Sequence, residues 1–129
     1  MEANLSALEV RWVVEGFGPN PKGRLVLTSD GDFIVIITRA DRAPAKNSDE
    51  KAALLDSMLA YSGKYTIDGD RIMTRVDMSH TEIFTGALQI QTRFFSLEGD
   101  RLVLRTGLMA SSFRPGQKVE SILTWERER

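Results

Sequence analysis

The chain has 129 residues, of which 42% are hydrophobic and 27% charged, and its formal net charge is −1. This ordinary globular balance suits one domain over residues 1–129 and excludes both a disordered chain and a bundle of membrane helices. Cysteine is absent and His80 is the single histidine, which removes disulfides, thiolate catalysis and cysteine- or multi-histidine metal centres, so no metal and no cofactor is expected.

The opening residues, Met1-Glu2-Ala3-Asn4-Leu5, place an acid where a secretory signal would carry positive charge, and the expected location is cytoplasmic. The basic residues are scattered, so neither a nucleic acid nor a membrane surface is an expected partner. A first strand is expected at 8–15. Gly16-Phe17-Gly18-Pro19-Asn20-Pro21 then reads as a loop, since this Gly-rich stretch opens no helix and so lacks the context of a phosphate cradle.

Strands at 24–29 and 32–38 flank Asp30-Gly31. The same acidic-Gly pair returns at Asp68-Gly69, between strands at 63–67 and 71–78, and at Glu98-Gly99, between strands at 88–97 and 101–107. Such pairs suit tight hairpin turns because glycine takes positive φ without steric cost. A last strand is expected at 118–126. Ile72, Thr74 and Val76 alternate with Arg71, Arg75 and Asp77, which marks a half-buried antiparallel sheet with one dry face. Eight such strands in so short a chain favour closure into a barrel, which leaves no exposed edge; a two-sheet sandwich is the alternative.

Between the third and fourth strands, residues 47–63 carry helix signals. Asn47 can cap the first turn with Glu50 reaching back, acids crowd the start, and Gly63 suits the end. Leu55, Met58, Leu59 and Ser62 would share the face that packs on the barrel wall or across a mouth. The hairpin before it has apolar residues on both faces: Phe33, Val35 and Ile37 alternate with Ile34 and Ile36. One set is left over, and it needs either the helix or a second copy of the chain, giving a homodimer through residues 24–38.

Candidate acid–base groups are His80, Glu82, Tyr61 and Tyr65, although Ser79 beside His80 has no local signature of a catalytic pair. Arg75, Arg93 and Arg105 alternate with apolar neighbours and are expected on the outer face; one turned inward would be a ready partner for a ligand carboxylate. Gln89 and Gln91 pose the same question. The aromatic residues are expected in the core, with some lining a pocket.

Several pieces, in this order, resemble the bacterial and fungal lipocalin-like domain proteins of the calycin group. They are Leu8 with Trp12; Gly23-Arg24-Leu25 leading to Thr28-Ser29-Asp30-Gly31; Arg39-Ala40-Asp41-Arg42; Tyr61-Ser62-Gly63-Lys64-Tyr65 leading to Asp68-Gly69-Asp70; Leu97-Glu98-Gly99-Asp100-Arg101-Leu102; and Trp125-Glu126-Arg127. Val10 stands where secreted lipocalins carry a glycine, so the likeness is to the lipocalin-like group. It implies an eight-stranded antiparallel barrel with one α-helix between the third and fourth strands, closed by its first and last strands, with Trp12 near Arg127. It carries no catalytic residues across. The expected function is binding of a small hydrophobic or amphipathic metabolite inside the barrel, with Trp12, Phe33, Tyr65, Phe94, Leu104 and Trp125 facing it. Two alternatives stay open: a cofactor-independent cyclase or isomerase acting on a polyketide-like or oxylipin-like substrate, and a filled barrel acting only through protein contacts.

Overall fold

A computed structural model describes residues 3–11, 21–106, 109–110, 118–119 and 122–127. The strands are β1 (Ala3–Arg11), β2 (Lys22–Leu27), β3 (Asp32–Thr38), β4 (Met58–Asp68), β5 (Arg71–Ser79), β6 (Ile90–Glu98), β7 (Arg101–Arg105), β8 (Met109–Ala110), β9 (Lys118–Val119) and β10 (Ile122–Arg127), with one helix, α1 (Ser48–Asp56), and a short 3₁₀ turn at Gly86–Gln89. The main sheet is antiparallel throughout, in the order β1-β10-β7-β6-β5-β4-β3-β2, and pairing of β1 with β2 returns the order to its start. The chain thus curls its sheet around an interior. β8 and β9 pair separately, so the single strand expected at 118–126 is divided.

Strand alternation decides what lies inside. On β3, Phe33, Val35 and Ile37 point inward while Ile34 and Ile36 point out, and Ile37 is 1% exposed against 47% for Ile36. Leu25, Leu27, Ile72, Val76, Leu102 and Trp125 join the same core. Full burial of each aliphatic side chain stabilises the fold by roughly 1.5 to 3 kcal/mol. The hairpin turns fall where expected but are not centred on their acidic-Gly pairs: in the first, the Thr28 amide donates to the Asp32 carbonyl, leaving Ser29, Asp30 and Gly31 as the loop. Asp68 pairs with Arg71, and Glu98 with Arg101, so Gly69-Asp70 and Gly99-Asp100 are the central pairs, with φ of 60° at Gly69 and 58° at Gly99.

The helix is shorter than its sequence signals imply. Asn47 does cap it, its side chain accepting from the Glu50 amide at 2.9 Å, and the Glu50 carboxylate reaches back to the Lys46 amide at 2.6 Å. It ends at Asp56, where the Ser57 hydroxyl donates to the Leu54 carbonyl at 2.6 Å. Met58, Leu59 and Ser62 belong instead to β4, paired with Thr38, Ile37 and Ile34 of β3. A ladder of backbone hydrogen bonds with β3 outweighs local helix propensity there. No residue of α1 is buried and Leu55 is half exposed, so the helix does not cover the outer face of β3 through Leu55, Met58 and Leu59.

Gly63 has a different task from the helix end expected of it. It sits in β4 beside a register shift, where Ser62 pairs with Met78 and Gly63 with Val76, leaving Asp77 as the extra residue. A Cβ on Gly63 would lie 1.8 Å from the Arg75 carbonyl oxygen, so only glycine allows the two backbones to approach this closely. The first strand also lies earlier than expected. β1 ends at Arg11, Trp12 falls outside the described residues, and Arg127 is paired with Leu5.

Candidate functional site

The curled sheet lines a cavity of about 90 Å³. On the same measure one water needs roughly 10–15 Å³, so the space holds several waters or a compact ligand. Its wall is chemically divided. β2, β3, β7 and β10 supply apolar side chains: Leu25, Leu27, Phe33, Val35, Ile37, Leu102, Leu104, Leu123 and Trp125. Polar groups come from the neighbouring strands β4, β5 and β6 and from the residue after β7: Tyr61, Thr74, Gln91, Arg93 and Thr106. Leu59 and Ile72 complete the lining on the polar side.

Arg93 is the centre of that polar side. Alternation along β6 turns Gln91 and Arg93 to the interior, and Phe95 packs on the core. The guanidinium donates to the Thr92 carbonyl at 2.9 Å and to Oε1 of Gln91 at 3.0 Å. Gln91 is itself oriented by a bond from its amide nitrogen to the Leu88 carbonyl at 2.5 Å. Among the described residues no carboxylate pairs with Arg93. Burial pushes the Arg93 pKa below the ordinary arginine value, partly offset by Tyr61. Arginine nonetheless keeps its proton in proteins, so the interior carries a positive charge.

Tyr61 is held between two rings, edge-on to Phe33 at 5.7 Å and tilted against Phe84 at 4.7 Å. Burial raises its phenol pKa, and Arg93 lowers it by less. The phenol is therefore neutral near pH 7. Trp125 is 1% exposed, and its indole N–H has no hydrogen-bond partner among the described residues.

Of the residues expected to face a ligand, Phe33, Leu104 and Trp125 line the cavity. Trp12 lies outside the described residues. Tyr65 is buried but off the cavity, with its hydroxyl committed to the Thr28 carbonyl at 2.5 Å. Phe94 points the other way, beneath the Arg71 guanidinium at 5.3 Å, because Arg93 takes the inward position beside it. Among the acid–base candidates only Tyr61 reaches the cavity. The Ala60 amide donates to Nδ1 of His80 at 3.1 Å, which extends the β4–β5 edge, and Glu82 is exposed, accepting from the Thr81 hydroxyl at 3.3 Å. Arg75 and Arg105 are exposed, as expected; Arg93 is the exception. Gln89 bonds the Val76 carbonyl at 3.1 Å.

The family model for a lipocalin-like domain matches the chain over residues 3–128. The chain belongs to the lipocalin-like domain family. No curated protein matches it. Four polar side chains outside the expected ligand-facing set line the lipocalin-like cavity: Thr74, Thr106, and Gln91 and Arg93, whose inward placement the sequence left open. Thr74 and Thr106 continue the inward alternations Ile72-Thr74-Val76 and Leu102-Leu104-Thr106, a signal that could have placed both. Among the described residues no group of three or more His, Asp or Glu side chains is placed to hold a metal, and no helix is long and apolar enough to cross a membrane.

Proposed function

We propose that this protein binds a small hydrophobic or amphipathic metabolite inside a closed eight-stranded barrel. The carrying observation is the cavity of about 90 Å³ with an apolar wall built from β2, β3, β7 and β10. Interiors are normally packed to crystal-like density, and a largely apolar space of this kind costs stability unless something occupies it. A barrel acting only through its surface has no use for such a space. The cyclase or isomerase alternative needs acid–base groups converging on the substrate, and only one of its four candidates, Tyr61, lines the cavity.

Native mass spectrometry of freshly purified protein tests the reading. The expected spectrum shows a 1:1 adduct of a small organic molecule that is lost on denaturation. In a Trp12→Phe background, which leaves Trp125 as the single indole, fluorescence supplies a second readout, since a molecule entering the cavity changes the surroundings of Trp125. A bare protein whose Trp125 fluorescence stays constant through a panel of apolar and amphipathic compounds would overturn it.

A further inference from the structure

We infer that the cavity is specific for a monocarboxylate with an apolar body, its carboxylate anchored by Arg93; this rests on the cavity being a binding site. The inference begins with charge. A guanidinium partly withdrawn from water gains from a compensating anion or a full set of acceptors, and half-buried Arg93 has neither among the described residues. Thr92 and Gln91 each take one of its N–H groups, and the remaining donors have no protein acceptor there. A fold indifferent to that charge would be better served by a leucine at the position.

The geometry narrows the class. A planar fork recognises carboxylate and phosphate alike, but one positive charge with no acid among the described residues of the cavity lining matches a monoanion rather than a dianion. The Tyr61 hydroxyl makes no hydrogen bond among the described residues and stays protonated near pH 7, so it is a second donor for an oxyanion. Gln91 holds the guanidinium in place through its own tie to Leu88, which orders the anchor before the ligand arrives. The opposite apolar wall then takes the rest of the molecule. The cavity is thus amphipathic across its width.

The test is calorimetric titration of the purified protein with octanoate, 1-octanol and octyl phosphate on wild type, Arg93→Gln and Arg93→Lys, with Trp125 fluorescence in the Trp12→Phe background as a parallel readout. Octanoate is expected to bind wild type at least tenfold more tightly than 1-octanol, the scale of one charge-assisted bond. Arg93→Gln should remove that preference while leaving 1-octanol binding intact, and Arg93→Lys should restore part of it. Thermal unfolding of Arg93→Gln at or above the wild-type temperature shows the loss is not one of folding. Equal binding of octanoate and 1-octanol to wild type, with no change in Arg93→Gln, would overturn the anchor and leave the container standing. Tighter binding of octyl phosphate than octanoate overturns the carboxylate assignment. Binding of none of the three overturns the anchor and the container together.

Discussion

Replacing Gly63 by alanine adds one methyl group, and the structure says what it meets. The new Cβ falls 1.8 Å from the Arg75 carbonyl oxygen, 2.8 Å from the Arg75 carbonyl carbon and 3.0 Å from the Val76 Cα. These are backbone atoms, so no side chain can swing aside; β4 and β5 must separate by more than an ångström at a point where the register already shifts. Overpacking of this kind costs about 1 to 3 kcal/mol, and each ladder hydrogen bond strained with it adds about 1 kcal/mol. We expect a loss of about 3 kcal/mol, or on the order of 10 °C in unfolding temperature for a domain of this size. Gly69→Ala is the matched control. Gly69 has φ of 60° but nothing within 4 Å of a built Cβ, so its cost is backbone strain alone, about 1 kcal/mol. Gly69→Asn should recover part of that loss, because asparagine tolerates the left-handed region, whereas Gly63→Asn should be worse than Gly63→Ala. Urea unfolding of all four variants reads the difference. A Gly63→Ala protein with a midpoint at or above that of Gly69→Ala would refute the close approach of β4 to β5.

Ile37→Ala should cost about 2 to 5 kcal/mol by denaturant unfolding and Ile36→Ala less than about 0.5, and equal losses would mean that the faces of β3 are assigned wrongly. His80→Ala should lower stability by about 1 kcal/mol, through loss of the acceptor for the Ala60 amide, and leave octanoate binding unchanged in calorimetry. Of the two tyrosines, Tyr61 has its folded pKa raised by burial, so its stabilising contribution is whole below about pH 10 and falls as the pH rises toward the folded value; Tyr61→Phe should flatten that alkaline loss in unfolding experiments across pH 9 to about 11. Ile34 is 53% exposed and α1 leaves it so, and we propose that this face mediates self-association. Sedimentation at micromolar concentration should then show a dimer that Ile34→Lys/Ile36→Lys converts to monomer, and a monomeric wild type removes the proposal.

The hairpins were legible because glycine at a turn is a local constraint, and β3 because Phe33, Val35 and Ile37 compete with only one other set. The helix end was not, since Leu55, Met58 and Leu59 fit a helical face while Leu59, Tyr61, Gly63 and Tyr65 fit an alternating strand. The choice between them was made by β3, a partner the local sequence does not name. Arg93 was hidden for a related reason. Along β6 the set Gln91, Arg93, Phe95 and the set Ile90, Thr92, Phe94 each mix polar with apolar residues, so alternation alone leaves the inward face undecided. The likeness to lipocalin-like domains indicated an interior without saying which side chains furnish it.

The seam between β1 and β10 sets a timetable for the molecule. It pairs Leu5 with Arg127 and Arg11 with Ile122, contacts that span nearly the whole sequence, whereas the β2–β3, β4–β5 and β6–β7 hairpins each bring together neighbours. Closing so large a loop costs more chain entropy than closing any of these hairpins, so we expect the seam to form after them. On the ribosome the hairpins can zip as they emerge, but the side of the wall built by Leu123 and Trp125 is missing until β10 has been made. Until then the nascent sheet is an open trough. Parting of that same seam would open the interior sideways while sparing every hairpin.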